Sequence, residues 1–319
     1  MTGGRRSGVA AVLLGIAALL LLPACAEDES VGARDRRLIA DDVAALAPQR
    51  PGQVDLYVVG FAGDSTEDVF RNEVAYLDAL MSTRFGAQGR VVTLVNHLDS
   101  LTSTPRPLAT LQNLRIALAG VGEVMDRDED ILLLYLTLHG TEAHELAVQL
   151  PPVLEQWITP RELRKALDDA GIHNRVVAIS ACYSGGFIPA LRDARTLVLT
   201  AARADRASFG CGSESDATYF GRAWLVDGLN HSTSFVGAYD IAVGEIAQWE
   251  REDGEAPSLP QIDVGDGIAG RLQLWRSQLV PGPVVPYPYD AEAEDADTQD
   301  AEAGSRQPEP AAAVRPPGS

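Results

Sequence analysis

The chain has 319 residues, 46% of them hydrophobic, and a formal net charge of −19. This length and hydrophobic content fit one larger folded domain with flanking segments. The acidic balance argues against nucleic acid as a partner, because binding to phosphates needs clustered lysine and arginine. Charge of this sign carries no information about the fold itself.

Residues 1–24 are typical of an export signal. Arg5 and Arg6 precede an apolar run over residues 9–22, which is shorter than the ~20 residues that a membrane-spanning helix needs. The run leads into Leu22-Pro23-Ala24-Cys25, which resembles the lipobox of bacterial lipoproteins. That resemblance implies cleavage before Cys25, a lipid on its thiol, and an extracytoplasmic location on a membrane of the bacterial cell envelope. An uncleaved anchor and an ordinary secretory signal are the alternatives.

Residues 25–53 predict a polar tether with room for one helix. From residue 54 to residue 280, apolar runs of strand length alternate with segments of helical spacing, which predicts a single domain. Strands are predicted over residues 54–62, 90–96, 131–138, 175–180, 196–200 and 261–264. Helices are predicted over residues 66–84, 108–125, from 159 onward, 216–229, 234–250 and 267–279, with a short hairpin arm at 145–150. Residues 281–319 are rich in Pro, Ala and acidic residues, and predict a disordered tail.

Apolar strands alternating with helices predict an α/β fold, with a mostly parallel sheet of about six strands between two helical layers. Sites in such sheets form at the carboxyl ends of the strands. The third predicted strand runs into His139-Gly140, and the fourth runs into Ala181-Cys182. A thiol beside an imidazole is the arrangement of a cysteine nucleophile and its general base. The N–H groups of Gly140 and Cys182 would then form an oxyanion hole.

Taken singly, a His-Gly after a strand is ordinarily a loop and a lone Cys is ordinarily packing. Four ordered segments favour the catalytic interpretation, because they resemble the caspase-like clan of cysteine peptidases and, within it, the legumain-like family C13. They are YVVGFAGDSTEDVFRNEV, ILLLYLTLHG, VVAISACYSGGF and TAARADRASFGCGSESDATYFGRAW. The resemblance spans roughly residues 54–250. It implies a caspase-like three-layer sandwich, peptide-bond hydrolysis through a thioester on Cys182, His139 as acid and base, and no metal or organic cofactor.

By the same resemblance, Arg71 and Ser208 would line the specificity pocket. Three positions depart from the family pattern: Leu138 replaces an Asp before the histidine, Tyr183 replaces a Glu after the cysteine, and Arg222 replaces an acid after Thr-Tyr-x-Gly. The last two acids would accept hydrogen bonds from an Asn side chain of the substrate. A pocket with Arg71 and Arg222 would instead bind a carboxylate, so we expect Asp or Glu, or alternatively Asn, at P1. Tyr183 would wall the pocket or pack.

Other candidates are weaker. His144 follows His139 by five residues, which is not the HExxH spacing of a zinc site, so no metal is expected. Cys211 is either a free structural cysteine or a redox partner of Cys182.

Two further functions stay open on the same residues: a transpeptidase or transamidase, and a catalytically inactive peptide-binding lipoprotein. If residues 26–53 or 281–319 cover the site as a zymogen segment, deleting the tail should raise activity.

Overall fold

A computed structural model describes residues 1, 2, 4, 29–212 and 215–289. Most of the predicted export signal, the lipidation candidate Cys25 and residues 290–319 of the predicted tail lie outside the described residues, so these expectations stay predictions. Within the described part of the chain, no helix is both long enough and apolar enough to cross a membrane.

The domain is built on a six-stranded sheet in the order β2-β1-β3-β6-β7-β8, parallel except for β8, which runs antiparallel to β7. A separate antiparallel hairpin joins β4 to β5. The strands are β1 (Leu56–Ala62), β2 (Val91–Val95), β3 (Ile131–Thr137), β4 (Leu146–Leu150), β5 (Leu154–Ile158), β6 (Asn174–Ser180), β7 (Thr196–Thr200) and β8 (Gln261–Val264).

Helices connect the strands and cover both faces of the sheet. They are α1 (Val31–Ala45), α2 (Asp68–Arg84), α3 (Leu98–Leu101), α4 (Leu111–Val124), α5 (Pro160–Asp169), α6 (Ile188–Leu191), α7 (Leu229–His231), α8 (Phe235–Asp253) and α9 (Asp266–Gln278). A 3-10 turn spans Ser184–Phe187, and a π-helix spans Gly221–Gly228. Helix α5 begins at the capping box formed by Thr159 and Glu162, as its sequence predicts.

Strand β3 shows why the central strands are apolar throughout. Its alternate residues enter two separate cores, because successive side chains point to opposite faces of a sheet. Leu132, Leu134 and Leu136 pack with α1, α4 and α5 on one face. Leu133 and Tyr135 pack with α2, α8, α9 and the π-helix on the other. The predicted α/β fold with a mostly parallel six-stranded sheet is therefore confirmed, including the strand at 261–264.

The tether predicted over residues 25–53 contains α1, which packs on the domain. Ile39 is buried in the core beside α4, and so is the carboxylate of Asp35. Asp35 accepts hydrogen bonds from the Leu108 N–H at 3.2 Å and from Asn113 Nδ2 at 2.8 Å. The sequence gives little sign of this docking, because α1 buries one aliphatic side chain and one hydrogen-bonded acid instead of a wide apolar stripe.

The tail predicted over residues 281–319 also begins as packed chain. Tyr287 is 5% exposed. Its ring meets Tyr76 of α2 edge to face at 5.0 Å, and its hydroxyl donates to the Asp216 carbonyl at 2.6 Å. The Val285 carbonyl accepts from the Tyr76 hydroxyl at 2.7 Å. Residues 281–289 therefore form a strap that joins α9 to α2 and to the loop before the π-helix.

Two truncations separate the strap from the rest of the tail. Deleting residues 290–319 is expected to leave the melting temperature unchanged, because the strap stays in place. Deleting residues 281–319 removes the buried Tyr287, which is worth about 3 kcal/mol or more by analogy with aromatic truncation in cores, or roughly 5–10 °C for a domain of this size. Calorimetry on both proteins measures the difference. Equal melting temperatures would contradict the strap.

Stability is expected to fall as the pH rises from about 5 to 7.5. Burial raises the pKa of Asp130 to about 6 from its usual 3.8, and its carboxylate oxygens accept from the Asp55 and Asp126 N–H groups, each at 2.8 Å. The folded chain therefore binds a proton that the unfolded chain has released, so folding is favoured below that pKa by about 1–3 kcal/mol. Urea titrations at the two pH values measure the free energy of unfolding. The Asp130→Asn variant should show a smaller difference in that free energy between the two pH values.

Candidate active site

His139 and Cys182 lie at one level of the sheet on neighbouring strands. Strands β3 and β6 are paired in register up to Thr137 and Ser180, and the Leu138 N–H donates to the Ser180 carbonyl at 3.2 Å. His139 follows Thr137 by two residues, and Cys182 follows Ser180 by two. The two strands are therefore direct neighbours, and the imidazole and the thiol stand at the same carboxyl-terminal edge of the sheet.

The imidazole of His139 is held by packing. The rings of Phe70, in the first turn of α2, and His139 pack in a T-shaped arrangement, with 5.1 Å between their centroids and an angle of 87° between their planes. In the described part of the chain, neither ring nitrogen of His139 has a hydrogen-bond partner. Both nitrogens are thus available to a thiol or to a substrate, and the Phe70 ring is the aromatic neighbour that packs against the imidazole.

The sulfur of Cys182 contacts the loop that follows β7. It accepts a hydrogen bond from the Ser208 N–H at 3.2 Å and a longer one from the Ser208 hydroxyl at 3.6 Å. As a thiol it also donates to the Ser208 carbonyl at 3.4 Å. Donors aimed at a cysteine sulfur favour negative charge on it, so the contacts with Ser208 are of the kind that would support a thiolate. The resemblance placed Ser208 at the pocket, and the structure adds this contact to the sulfur.

Gly140 is required by a close approach to the cysteine. A Cβ on Gly140 would lie 2.2 Å from the Cys182 carbonyl oxygen. Among the described residues, the N–H groups of Gly140 and Cys182 donate to no protein acceptor, although nearby N–H groups are paired, such as Tyr183 to the Arg206 carbonyl at 2.7 Å. Two unengaged N–H groups, on Cys182 itself and on the glycine that contacts its main chain, are the kind of donors that an oxyanion hole needs.

The turn after Cys182 is fixed on both sides. Tyr183 adopts the left-handed conformation, with φ of 57°, and its hydroxyl donates to Glu142 at 3.2 Å. The Gly185 N–H donates to the Ala202 carbonyl at 2.8 Å. The ring of His144 covers Gly186, where a Cβ would lie 2.2 Å from it. Tyr183 thus directly follows Cys182 with its side chain held by Glu142, and His144 packs against the turn.

The structure does not bring Arg71 and Arg222 into one pocket. Arg71 lines a cavity of about 220 Å³ beside the end of β2 and pairs with Asp68 at 3.0 Å and Asp99 at 3.1 Å. Arg222 lines a different cavity and pairs with Asp227 at 3.1 Å. The expectation that both arginines line one pocket is therefore wrong. Helix α2 and the π-helix direct the two guanidinium groups to separate carboxylates.

The remaining candidates are placed as follows. Cys182 and Cys211 are both free. Cys211 packs against the small cluster that contains Phe70, and burial raises the pKa of its thiol. Across the described residues, no group of three or more His, Cys, Asp or Glu side chains could hold a metal ion.

A mostly parallel six-stranded sheet between two helical layers, with His and Cys at adjacent strand ends, defines the caspase-like class of α/β proteins. The sequence model of the Peptidase C13 family matches residues 115–271, from α4 into α9. The matched region belongs to this legumain-like family, which supports a cysteine-peptidase type of function. The matched region contains His139, Cys182 and Ser208, whereas Arg71 precedes it. No curated protein matches the chain significantly.

Proposed function

We propose that the protein is a cysteine endopeptidase in which Cys182 is the nucleophile and His139 the acid and base. The observation that carries the proposal is the shared level of these two residues on β3 and β6, beside the unengaged N–H groups of Gly140 and Cys182. A substrate carbonyl placed over the sulfur would find a nucleophile, a proton carrier and an oxyanion site together.

In the reaction, the Cys182 sulfur attacks the carbonyl carbon of the peptide bond while its proton passes to His139. The oxygen becomes an oxyanion that the N–H groups of Gly140 and Cys182 bind. His139 then gives its proton to the leaving amine, the C–N bond breaks, and a thioester remains. Water attacks the thioester, its proton passes through His139 back to the sulfur, and the acid product leaves.

The substrate residue that precedes the cleaved bond is proposed to be Asp or Glu, with Asn as the alternative. The cavity beside α2 is lined by Arg71, Arg106 and His97, and Arg71 follows Phe70, whose ring contacts His139. The carboxylate of Asp99 already pairs with Arg71 at 3.1 Å. A substrate carboxylate could replace Asp99 by the same kind of charge-assisted hydrogen bond. Arg222 has no part in this proposal.

A peptide library with Asn, Asp, Glu, Lys or Arg at P1 tests the activity and the preference together, on the wild type and on Arg71→Gln. We expect cleavage after acidic residues or Asn, with acidic cleavage selectively reduced by Arg71→Gln. Preference for Lys or Arg would overturn the substrate assignment. Addition of an amine nucleophile tests the transpeptidase alternative, since ligated product in place of hydrolysis would replace the endopeptidase proposal.

We also propose that Cys25 carries lipid and tethers the domain to a membrane of the bacterial cell envelope. Support comes from the resemblance of residues 22–25 to a lipobox. Helix α1 begins at Val31, so a lipid on Cys25 would hold the domain close to the membrane surface. A Cys25→Ser variant should move from the membrane fraction to the soluble fraction. Unchanged fractionation would reject the anchor.

A further inference from the structure

A cluster of buried polar side chains lies directly beneath the candidate pair. Tyr135 and Thr137 lie on one face of β3, whose last residue comes two positions before His139, and Ser180 ends β6 two positions before Cys182. Glu73 of α2 and Thr218, from the loop before the π-helix, complete the cluster. Glu73 is 0% exposed and Thr218 is 5% exposed, so a carboxyl group is enclosed within the core that supports the site.

Both oxygens of Glu73 are used. The Tyr135 hydroxyl donates to Oε2 at 2.7 Å, and the Thr218 N–H donates to Oε1 at 2.7 Å. The Thr218 hydroxyl pairs with the Ser180 hydroxyl at 2.8 Å and accepts from the Gly221 N–H at 2.9 Å. Glu73 therefore connects α2 to β3 and, through Thr218, to β6 and the start of the π-helix.

The contact with Gly221 shows how closely the chain is fitted around this carboxyl group. A Cβ at Gly221 would lie 2.1 Å from Glu73 Oε1. Burial of a carboxyl group is costly unless it is hydrogen-bonded, and burial raises the pKa of Glu73. A buried apolar side chain would fill the same space at lower cost, but it could not hold the Thr218 N–H.

The Thr218 N–H matters because its loop returns to Cys182. The next residue, Tyr219, donates its N–H to the Phe209 carbonyl at 3.0 Å. Phe209 is the neighbour of Ser208, whose N–H lies 3.2 Å from the Cys182 sulfur. A continuous series of contacts thus runs from Glu73 through Thr218, Tyr219 and Ser208 to the nucleophile.

We propose that Glu73 is a positioning residue for the nucleophile: it fixes the Thr218 end of the loop that follows β7 and thereby holds the Ser208 N–H against the Cys182 sulfur. The inference concerns the proposed cysteine chemistry and deepens it. Glu73 touches neither the sulfur nor a substrate, so its effect reaches Cys182 only through the position of Ser208.

The test measures alkylation of Cys182 by iodoacetamide against pH in the full-length protein, with peptide mass mapping to identify the modified cysteine. Glu73→Ala is expected to slow alkylation at pH 7 about tenfold and to shift its midpoint to higher pH, because the sulfur loses a hydrogen-bond donor. The Glu73→Gln variant should be alkylated at a rate within about threefold of the wild-type rate, because the glutamine amide oxygen can accept from the Thr218 N–H.

Leu118→Ala is the matched control, since Leu118 is buried in the core on the opposite face of the sheet. It should lower the melting temperature without changing alkylation. Unchanged alkylation in Glu73→Ala, or an equal fall in Leu118→Ala, would overturn the inference. If Glu73→Ala does not fold, Tyr135→Phe is the second variant, because it removes one of the two hydrogen bonds to the Glu73 carboxyl group. It should also slow the alkylation of Cys182. An unchanged alkylation rate in Tyr135→Phe would overturn the inference as well. Because alkylation needs no substrate, failure of the peptidase assay alone would reject the proposed function and leave this inference standing.

Discussion

Replacing Cys182 with alanine is expected to lower peptide hydrolysis at least about 10⁴-fold, because removal of a covalent nucleophile leaves only binding and oxyanion stabilisation. The variant should also lose labelling by a peptide electrophile that captures the thiol. Fluorogenic hydrolysis and mass-mapped labelling measure the two effects. The fold should persist, since the Cys182 side chain is partly exposed at a strand end.

Cys211→Ala is the control for this variant. Cys211 is the other described cysteine, and it packs against the cluster around Phe70 with a raised thiol pKa, so it is a poor nucleophile at neutral pH. The Cys211→Ala variant should keep most of the peptide hydrolysis and all of the labelling at Cys182. If labelling were lost in Cys211→Ala instead of Cys182→Ala, or if Cys182→Ala kept its peptide hydrolysis, the assignment of Cys182 as the nucleophile would be rejected. Complete absence of labelling in the wild type would favour an inactive peptide-binding protein.

Substituting Gly140 with alanine should reduce kcat by about 100- to 1000-fold, the usual cost of losing an oxyanion donor. The added Cβ would lie 2.2 Å from the Cys182 carbonyl oxygen, so the two main-chain segments must move apart and the Gly140 N–H leaves its position. Steady-state kinetics on a P1-matched peptide measure the effect, and KM should change little if binding is spared.

Gly244→Ala serves as the comparison, because a Cβ at this position in α8 would meet no atom within 4 Å. It should leave kcat unchanged and stabilise the helix slightly. If Gly140→Ala retained more than half of the wild-type kcat, the assignment of the Gly140 N–H as an oxyanion donor would be wrong. A fall in both variants would point to a general effect of glycine replacement.

Whether the acidic tail inhibits the proposed activity is best tested with a deletion that leaves the strap intact. Tyr287 is buried against Tyr76, so deletion from residue 281 removes packing as well as acidic chain. A deletion that begins at residue 290 keeps the strap and removes only the acidic segment. Higher activity in that shorter deletion would support the zymogen hypothesis without the complication of a destabilised domain.

The sequence by itself determined the fold class and the location of the candidate pair. Strands β3 and β6 are apolar on both faces, which is characteristic of strands inside a covered parallel sheet. His139 and Cys182 directly follow such strands, and the carboxyl ends of parallel strands meet at one edge. These features are local in sequence and follow from side-chain alternation and strand direction, so they could be predicted without coordinates.

Only the tertiary structure decided which distant residues support that pair. The hydrogen bonds of Glu73 reach Tyr135 and Thr218, which are 62 and 145 positions away, and Ser208 is 26 positions from Cys182. The separation of Arg71 from Arg222 likewise depends on how α2 and the π-helix lie against the sheet. Such contacts have no period or spacing in sequence, because loop paths and helix orientations bring them together only when the whole domain is packed.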